Sequence, residues 1–287
     1  MHHQSAQILL DPGRALCWED ESTLRIGFDQ DVLLVGGLTP RAQRVVARLV
    51  TGMPEHEFKI LVRQSNAVAK DVHDVLNSIR PALLRMRVPA RLPVARASHP
   101  ESSVQSSIRA SIHDDGREVP GLRSALEANW LCTFEPSSAD PELAIQVIRF
   151  LEPLERAGRW VSAGIPHLLI RFTDEAVRIG PLIDADGAPC HTCEALHLIE
   201  RDPELAVVAA QFYGKLPSSE SVQTSLLASS IAAHYVHAWR DGALWVHDSQ
   251  LLVPVRRGTV SGLPSLTRIK THSECGCSLS EESPTQI

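Results

Sequence analysis

Apolar positions recur along this chain with two periods, and Pro, Gly and Asp mark the changes between them. Residues 15–18 and 23–28, joined by the polar Glu19-Asp20-Glu21-Ser22, predict a hairpin, and residues 31–35 a third strand closed by Gly36-Gly37. Thr39-Pro40 then offers an N-cap with proline at the first helical position. Val45, Val46, Leu49 and Val50 give that helix an apolar stripe until Thr51-Gly52 ends it. A second helix is expected from about residue 55, and a third over 66–79 with Val68, Val72, Val75, Leu76 and Ile79 on one face. Residues 81–125 are less regular, because Pro81, Pro89, Pro93, Pro100 and Pro120 prevent long helices; short strands are expected at 83–88 and 107–112.

Beyond residue 129 the pattern predicts a βαβ unit. It consists of a strand at 130–134, a helix capped at Asp140-Pro141 and carrying Leu143, Ile145, Val147, Ile148 and Leu151, and a strand at 160–163. Such alternation implies a parallel sheet with crossover helices. Residues 167–172 and 176–183 predict a hairpin about Thr173-Asp174-Glu175. Helices follow at 194–200, after Asp202-Pro203, and at 221–240, where Asp241-Gly242 ends the longest one; strands are expected at 244–247, 251–255 and 266–270. The fold class is therefore α/β. Residues 1–80 form a winged-helix-like module, 81–277 an α/β domain, and 278–287 a short polar tail read as disordered.

Composition narrows the function. The chain has 287 residues, 44% hydrophobic and 22% charged, which is ordinary for a globular protein. A net charge of -6 gives no global attraction to nucleic acid or to an anionic membrane, so a nucleic-acid partner is disfavoured. Arg85, Arg87, Arg91 and Arg96 crowd together, which reads as a solvated connecting segment. No apolar run is long enough to cross a bilayer, and Met1-His2-His3-Gln4 lacks a secretory pattern, so a cytoplasmic location and no membrane partner are expected.

Six cysteines then change the picture, because four of them fall in two close pairs, Cys190/Cys193 and Cys275/Cys277. In a reducing compartment close thiol pairs are metal ligands or redox groups rather than disulfides. Four thiolates fill the tetrahedral shell of Zn²⁺ and leave no open position for substrate, so the pairs predict structural zinc; a redox pair or buried free thiols are the alternatives. His191 and His272 stand beside the thiols and are able to replace one of them. Cys17 and Cys132 lie in apolar runs and are expected in the core. The chain lacks both GxGxxG and GxxxxGK[ST], so ATP is not an expected cofactor. Thirteen histidines place a serine or cysteine near a histidine by chance alone, so no catalytic residues are assigned.

Five segments in fixed order carry a resemblance: Gly164-Ile165-Pro166-His167-Leu168, Ile179-Gly180-Pro181-Leu182-Ile183, Cys190-His191-Thr192-Cys193, Arg201-Asp202-Pro203-Glu204 and His272-Ser273-Glu274-Cys275-Gly276-Cys277. With them the chain resembles the ThiF-like, cyclodehydratase-associated, leader-peptide-binding proteins of thiazole/oxazole-modified peptide pathways. The resemblance implies a winged-helix-like peptide-recognition module joined to a Rossmann-type, ThiF-like α/β domain with a four-cysteine zinc site. It further implies two partners, a precursor's leader peptide and a YcaO-type enzyme that uses ATP to cyclise cysteine, serine or threonine side chains. An extended leader would add to the strand at Asp31, Val32, Leu33, Leu34 and Val35, with Val45, Val46 and Leu49 supplying apolar pockets; core packing is the competing role for these three. The alternative function is a ThiF-type adenylyltransferase with a divergent nucleotide site formed in a homodimer.

Overall fold

A computed structural model describes residues 6–29, 32–86, 107–134, 141–153, 156, 158–184, 187 and 189–277. Contacts divide the chain into two compact units, residues 1–100 and 101–287. Asp31, the basic residues Arg87, Arg91 and Arg96, and the tail 278–287 lie outside the described residues; Arg85 is paired with Glu55 at 2.7 Å.

In the first unit, strands β1 (Gln7–Leu10), β2 (Leu16–Trp18), β3 (Leu24–Ile26) and β4 (Leu33–Val35) precede helix α1 (Pro40–Thr51). Strand β5 (Met53–Pro54), helices α2 (Glu55–Val68) and α3 (Lys70–Ser78) and strand β6 (Leu83–Met86) complete it. The hairpin and third strand form a three-stranded antiparallel sheet in the order β2-β3-β4, with Leu24 opposite Val35 and Arg25 opposite Leu34. Asp20 Oδ1 closes the hairpin turn by accepting from the backbone N–H groups of Ser22 and Thr23 at 2.7 and 2.8 Å.

A second three-stranded sheet, β5-β1-β6, is centred on β1, a strand the pattern does not announce; β6 pairs with β1, so this unit extends past residue 80. Helix α1 starts as expected, Thr39 Oγ1 accepting from the Ala42 N–H at 3.2 Å. The third helix begins at Lys70 rather than at residue 66, because α2 continues to Val68 and Ala69 breaks it with φ −144° and ψ 73°. No Gly or Pro signals that break.

The second unit holds an eight-stranded mixed sheet. Its elements are β7 (Ile108–His113), α4 (Leu122–Glu127), β8 (Cys132–Thr133), β9 (Leu143–Arg149), α5 (Arg159–Ser162), β10 (His167–Phe172), β11 (Ala176–Ile183), α6 (His191–Arg201), α7 (Leu205–Ala210), α8 (Val222–Arg240), β12 (Ser249–Arg256), β13 (Thr259–Val260) and β14 (Ser265–Arg268). The order is β13-β12-β11-β10-β9-β7-β8, with β14 also on β12. Strands β8, β7, β9 and β10 are mutually parallel, while β11, β12, β13 and β14 join antiparallel.

Three expectations are corrected here. Residues 143–149 form a strand, not a helix: six of the seven are buried, and an uninterrupted run with β-branched Ile145, Val147 and Ile148 suits the middle of a parallel sheet covered on both faces. Residues 159–162 form a helical turn instead of a strand, and 244–247 a 3₁₀ turn instead of a strand. The parallel crossovers thus run from β7 through α4 to β8 and from β9 through α5 to β10. The expected strand at 130–134 shrinks to Cys132–Thr133, because Asn129 and Trp130 take positive φ.

One sheet face packs Leu143, Ile145, Val147, Leu168, Ile170 and Phe172 against α4 and α8. Ser221 caps α8 in a capping box with Thr224, and its small buried residues Ala228 and Ala232 let it lie close to the sheet. At Gly180 (φ 88°) a Cβ would come within 2.6 Å of the Tyr235 ring and 2.5 Å of the Ser249 carbonyl oxygen, so only glycine lets Tyr235 reach that oxygen. The opposite face joins Ile148, Leu169 and Ile183 to Cys190, Cys193 and Cys275. Among the described residues, no helix is long and apolar enough to cross a membrane. Cys17 and Cys132 are both buried; burial pushes the Cys132 thiol up to about 12.

Candidate metal centre

All four paired thiols converge on that second face. Cys190 sits in extended backbone at the N-cap of α6 and Cys193 one turn inside it, so both sulfurs lie on one side of the helix start. Cys275 is brought up by a turn in which its N–H donates to the His272 carbonyl at 3.0 Å, and Cys277 follows two residues later. The Sγ atoms of Cys190 and Cys275 are 3.4 Å apart, those of Cys193 and Cys277 3.3 Å, and those of Cys190 and Cys193 3.9 Å.

Those spacings are far longer than a disulfide bond and close to the edge of about 3.8 Å for a tetrahedron with metal–sulfur bonds of about 2.3 Å. Three of the four are buried and Cys277 is half-buried. Without a cation such packing disfavours charge: the hydrogen bond that the Cys190 thiol donates to Cys193, together with burial, pushes Cys190 up to about 12, and burial pushes Cys277 up to about 11. A divalent ion reverses this by binding the deprotonated sulfurs. The donor set fits a metal with soft ligands.

The two neighbouring histidines face other groups. His191 is fully buried with Nδ1 3.6 Å from Glu152 Oε2, and burial together with Arg171 pushes it down to about 3. His272 Nδ1 accepts from the Glu274 N–H at 3.1 Å, and its Nε2 stands 3.5 Å from Glu200 Oε2. His197, Glu200 and His272 also form a close group, in which His197 Nε2 bonds the Lys270 carbonyl at 3.1 Å.

Beneath α6 lies a buried polar set that sequence patterning does not identify. Arg171, in the middle of β10, donates to Glu194 in the first turn of α6, and Gln250 of β12 donates both to Glu194 and to the Gly180 carbonyl. The available signal was Arg171 itself, since a guanidinium inside an apolar strand demands an acceptor.

His167 opens β10 on the same face, with its Nδ1 3.1 Å from the Ile165 carbonyl, and burial pushes it down from 6.5 to about 4. The unfolded chain therefore takes up a proton that the folded chain refuses between those two values, and stability falls as pH drops through that window. His167→Leu is expected to reduce the stability lost between about pH 7 and 4.5 by about 2 kcal/mol, read from urea unfolding of both proteins at each pH. Parallel pH slopes for the two would refute this.

The expected peptide-contact residues fall in the first unit. Leu33, Leu34 and Val35 form β4 at the edge of its sheet, with Val32 just before it; Leu34 is 54% exposed and Val35 buried. Val46 and Leu49 are core residues of this unit, and Val45 packs partly against the same core.

No family model matches the chain, and no curated protein matches it. Among solved structures it is similar to a heterocyclase in complex with substrate and cofactor, at 15% identity and a TM-score of 0.46, over 94% of this chain and 39% of that one. It is similar to the heterocyclase TruD at 12% identity and a TM-score of 0.45, over 94% of this chain and 42% of that one. A third likeness, to the E. coli microcin synthetase McbBCD complex, has 10% identity and a TM-score of 0.41 over 93% of this chain and 99% of that one. The chain thus spans about two fifths of the length of the two heterocyclases.

Proposed function

We propose that this chain is a non-catalytic partner of a YcaO-type cyclodehydratase, binding the leader peptide of a precursor destined for thiazole or oxazole formation. The carrying observation is that β4 is an edge strand with the exposed Leu34 at its centre. An edge offers unpaired backbone groups to an extended peptide, and alternate side chains set sequence choice. On this reading the first unit is a winged-helix-like recognition module. Asp31, Val32, Leu33, Leu34 and Val35 meet the peptide, while Val45, Val46 and Leu49 support the strand through the core. The second unit is a ThiF-like α/β domain, and the order of motifs from Gly164 to Cys277 supports that assignment.

Zinc is the proposed metal, held by Cys190, Cys193, Cys275 and Cys277. Sulfur donors suit it, and four of them complete its shell, so its contribution is structural. These residues keep the C-terminal segment against α6 and transfer no proton or group.

The test is calorimetry of the full chain against a precursor peptide from the same genomic neighbourhood. Binding is expected, and Leu34→Lys should weaken it at least tenfold, about 1.4 kcal/mol, because a charged edge resists strand addition. Absence of binding, or unchanged affinity in the variant, would remove the support for β4 as the recognition strand. ATP–pyrophosphate exchange by the chain alone would favour the adenylyltransferase reading instead.

A further inference from the structure

A cavity of about 190 Å³ opens in the second unit at the carboxyl ends of β7 and β9. It lies where the chain order reverses: β7 leads through α4 to β8 on one side, and β9 and β10 build outward on the other. Open parallel sheets bind ligands at such a switch point, because the diverging connections leave a crevice there. Val147, Ile148, Leu151, Pro153 and Ala209 give it an apolar lining; Asp115, Arg117, Arg149, Glu152, Arg156 and Tyr213 supply polar groups.

The state of those polar groups specifies the ligand. Arg149 is already committed: it forms a buried ion pair with Glu220 at 2.5 Å and donates to the Asp114 and Arg117 carbonyls at 2.6 and 2.9 Å. Arg117 uses Nη2 on the Gly214 carbonyl, and its buried Nη1 has no hydrogen-bond partner among the described residues. The Glu152 side chain is 9% exposed; Oε1 accepts from Gln146 at 3.3 Å, while buried Oε2 has no hydrogen-bond partner among the described residues, its near neighbour His191 Nδ1 standing 3.6 Å away. Arg156 and Tyr213, both largely exposed, stand at the mouth.

With Arg149 neutralised by Glu220, two guanidinium groups and two carboxylates remain, so the crevice is charge-balanced. A polyphosphate would meet Asp115 and Glu152 as like charges, a repulsion that is costly at the buried Glu152 and screened by water at the exposed Asp115. A molecule carrying both signs matches the Arg117 guanidinium and the Glu152 carboxylate that line the crevice.

We propose that this crevice binds a small zwitterion, a free α-amino acid with an apolar side chain, its ammonium on Glu152 and its carboxylate on Arg117 and Arg156. The volume suits that size, since an apolar cavity of about 150 Å³ accommodates benzene. The inference is independent of whether β4 takes a peptide.

L-leucine, L-leucinamide and N-acetyl-L-leucine titrated by calorimetry into the full metal-loaded chain provide the test. L-leucine is expected to bind, and each blocked form to bind at least about tenfold more weakly, because each lacks one charge. Glu152→Gln should abolish the preference for leucine over its N-acetyl form, and Arg117→Met the preference over its amide. No binding of leucine or other apolar amino acids, equal binding of the blocked forms, or ATP binding in their place would overturn the proposal. Should Glu152→Gln fail to fold, Arg117→Met and the three ligands on the unsubstituted chain still separate these outcomes.

Discussion

Cys193→Ser is expected to lose the bound metal and to lower the melting temperature of the second unit by about 8–16 °C. Cys193 is fully buried, its sulfur lies 3.3 Å from that of Cys277 and 3.9 Å from that of Cys190, and it stands in the first turn of α6. A metal present at about a thousand times its dissociation constant stabilises the folded state by about 4 kcal/mol, and a unit of this size shifts by about 2–4 °C per kcal/mol. Damage should be local first. The core between the sheet and α8 contains none of the four ligands, whereas the segment after β14 is joined to α6 through Cys275 and Cys277. Protease cleavage should therefore appear within 269–277 before the sheet unfolds, and a chelator acting on the unsubstituted chain should reproduce the pattern. Cys132→Ser places a hydroxyl in an apolar core and lowers stability without altering metal content. Full metal retention by Cys193→Ser, or a chelated protein with unchanged melting and cleavage, would show that the thiols are not a metal clamp.

The thiol centre was legible because each half is local. Cys190 and Cys193 lie within one turn, as do Cys275 and Cys277, so spacing alone marks them as pairs able to chelate. Local chemistry likewise marked α1 between Thr39-Pro40 and Gly52, α8 between Ser221 and Asp241-Gly242, and the β10–β11 hairpin. The failure at residues 143–149 has a definite cause. Leu143, Ile145, Val147 and Ile148 are also compatible with a helical face, and a strand buried on both sides loses the alternation that would distinguish it. Register decided the rest. Glu194 meets Arg171 and Gln250 only because β10 and β12 flank β11, and Glu152 and Arg117 line one cavity only because β9 lies beside β7. Sequence spacing carries no trace of either meeting.

Glu194→Ala is expected to destabilise the second unit by about 3–5 kcal/mol, since removing one partner of a buried ion pair strands the other. The Arg171 and Glu194 side chains are 4% and 5% exposed, and Gln250 bonds the same carboxylate oxygen, so the substitution leaves two donors facing a void. Glu194 adjoins Cys193 and ties the first turn of α6 to β10 and β12, so the metal centre should loosen with it. Metal released to a competing chelator should accordingly rise in Glu194→Ala while all four thiols remain. The pair is expected to specify position more than to add net stability, because its desolvation offsets much of its Coulomb energy. Arg171→Met combined with Glu194→Leu should therefore recover most of the stability lost in either single variant, giving a coupling energy of about 2 kcal/mol or more in the cycle formed with Arg171→Met and Glu194→Leu alone. Additive losses in that cycle would show that Arg171 and Glu194 contribute independently, and that α6 is held to the sheet by the apolar contacts of Ile148, Leu169 and Ile183 alone.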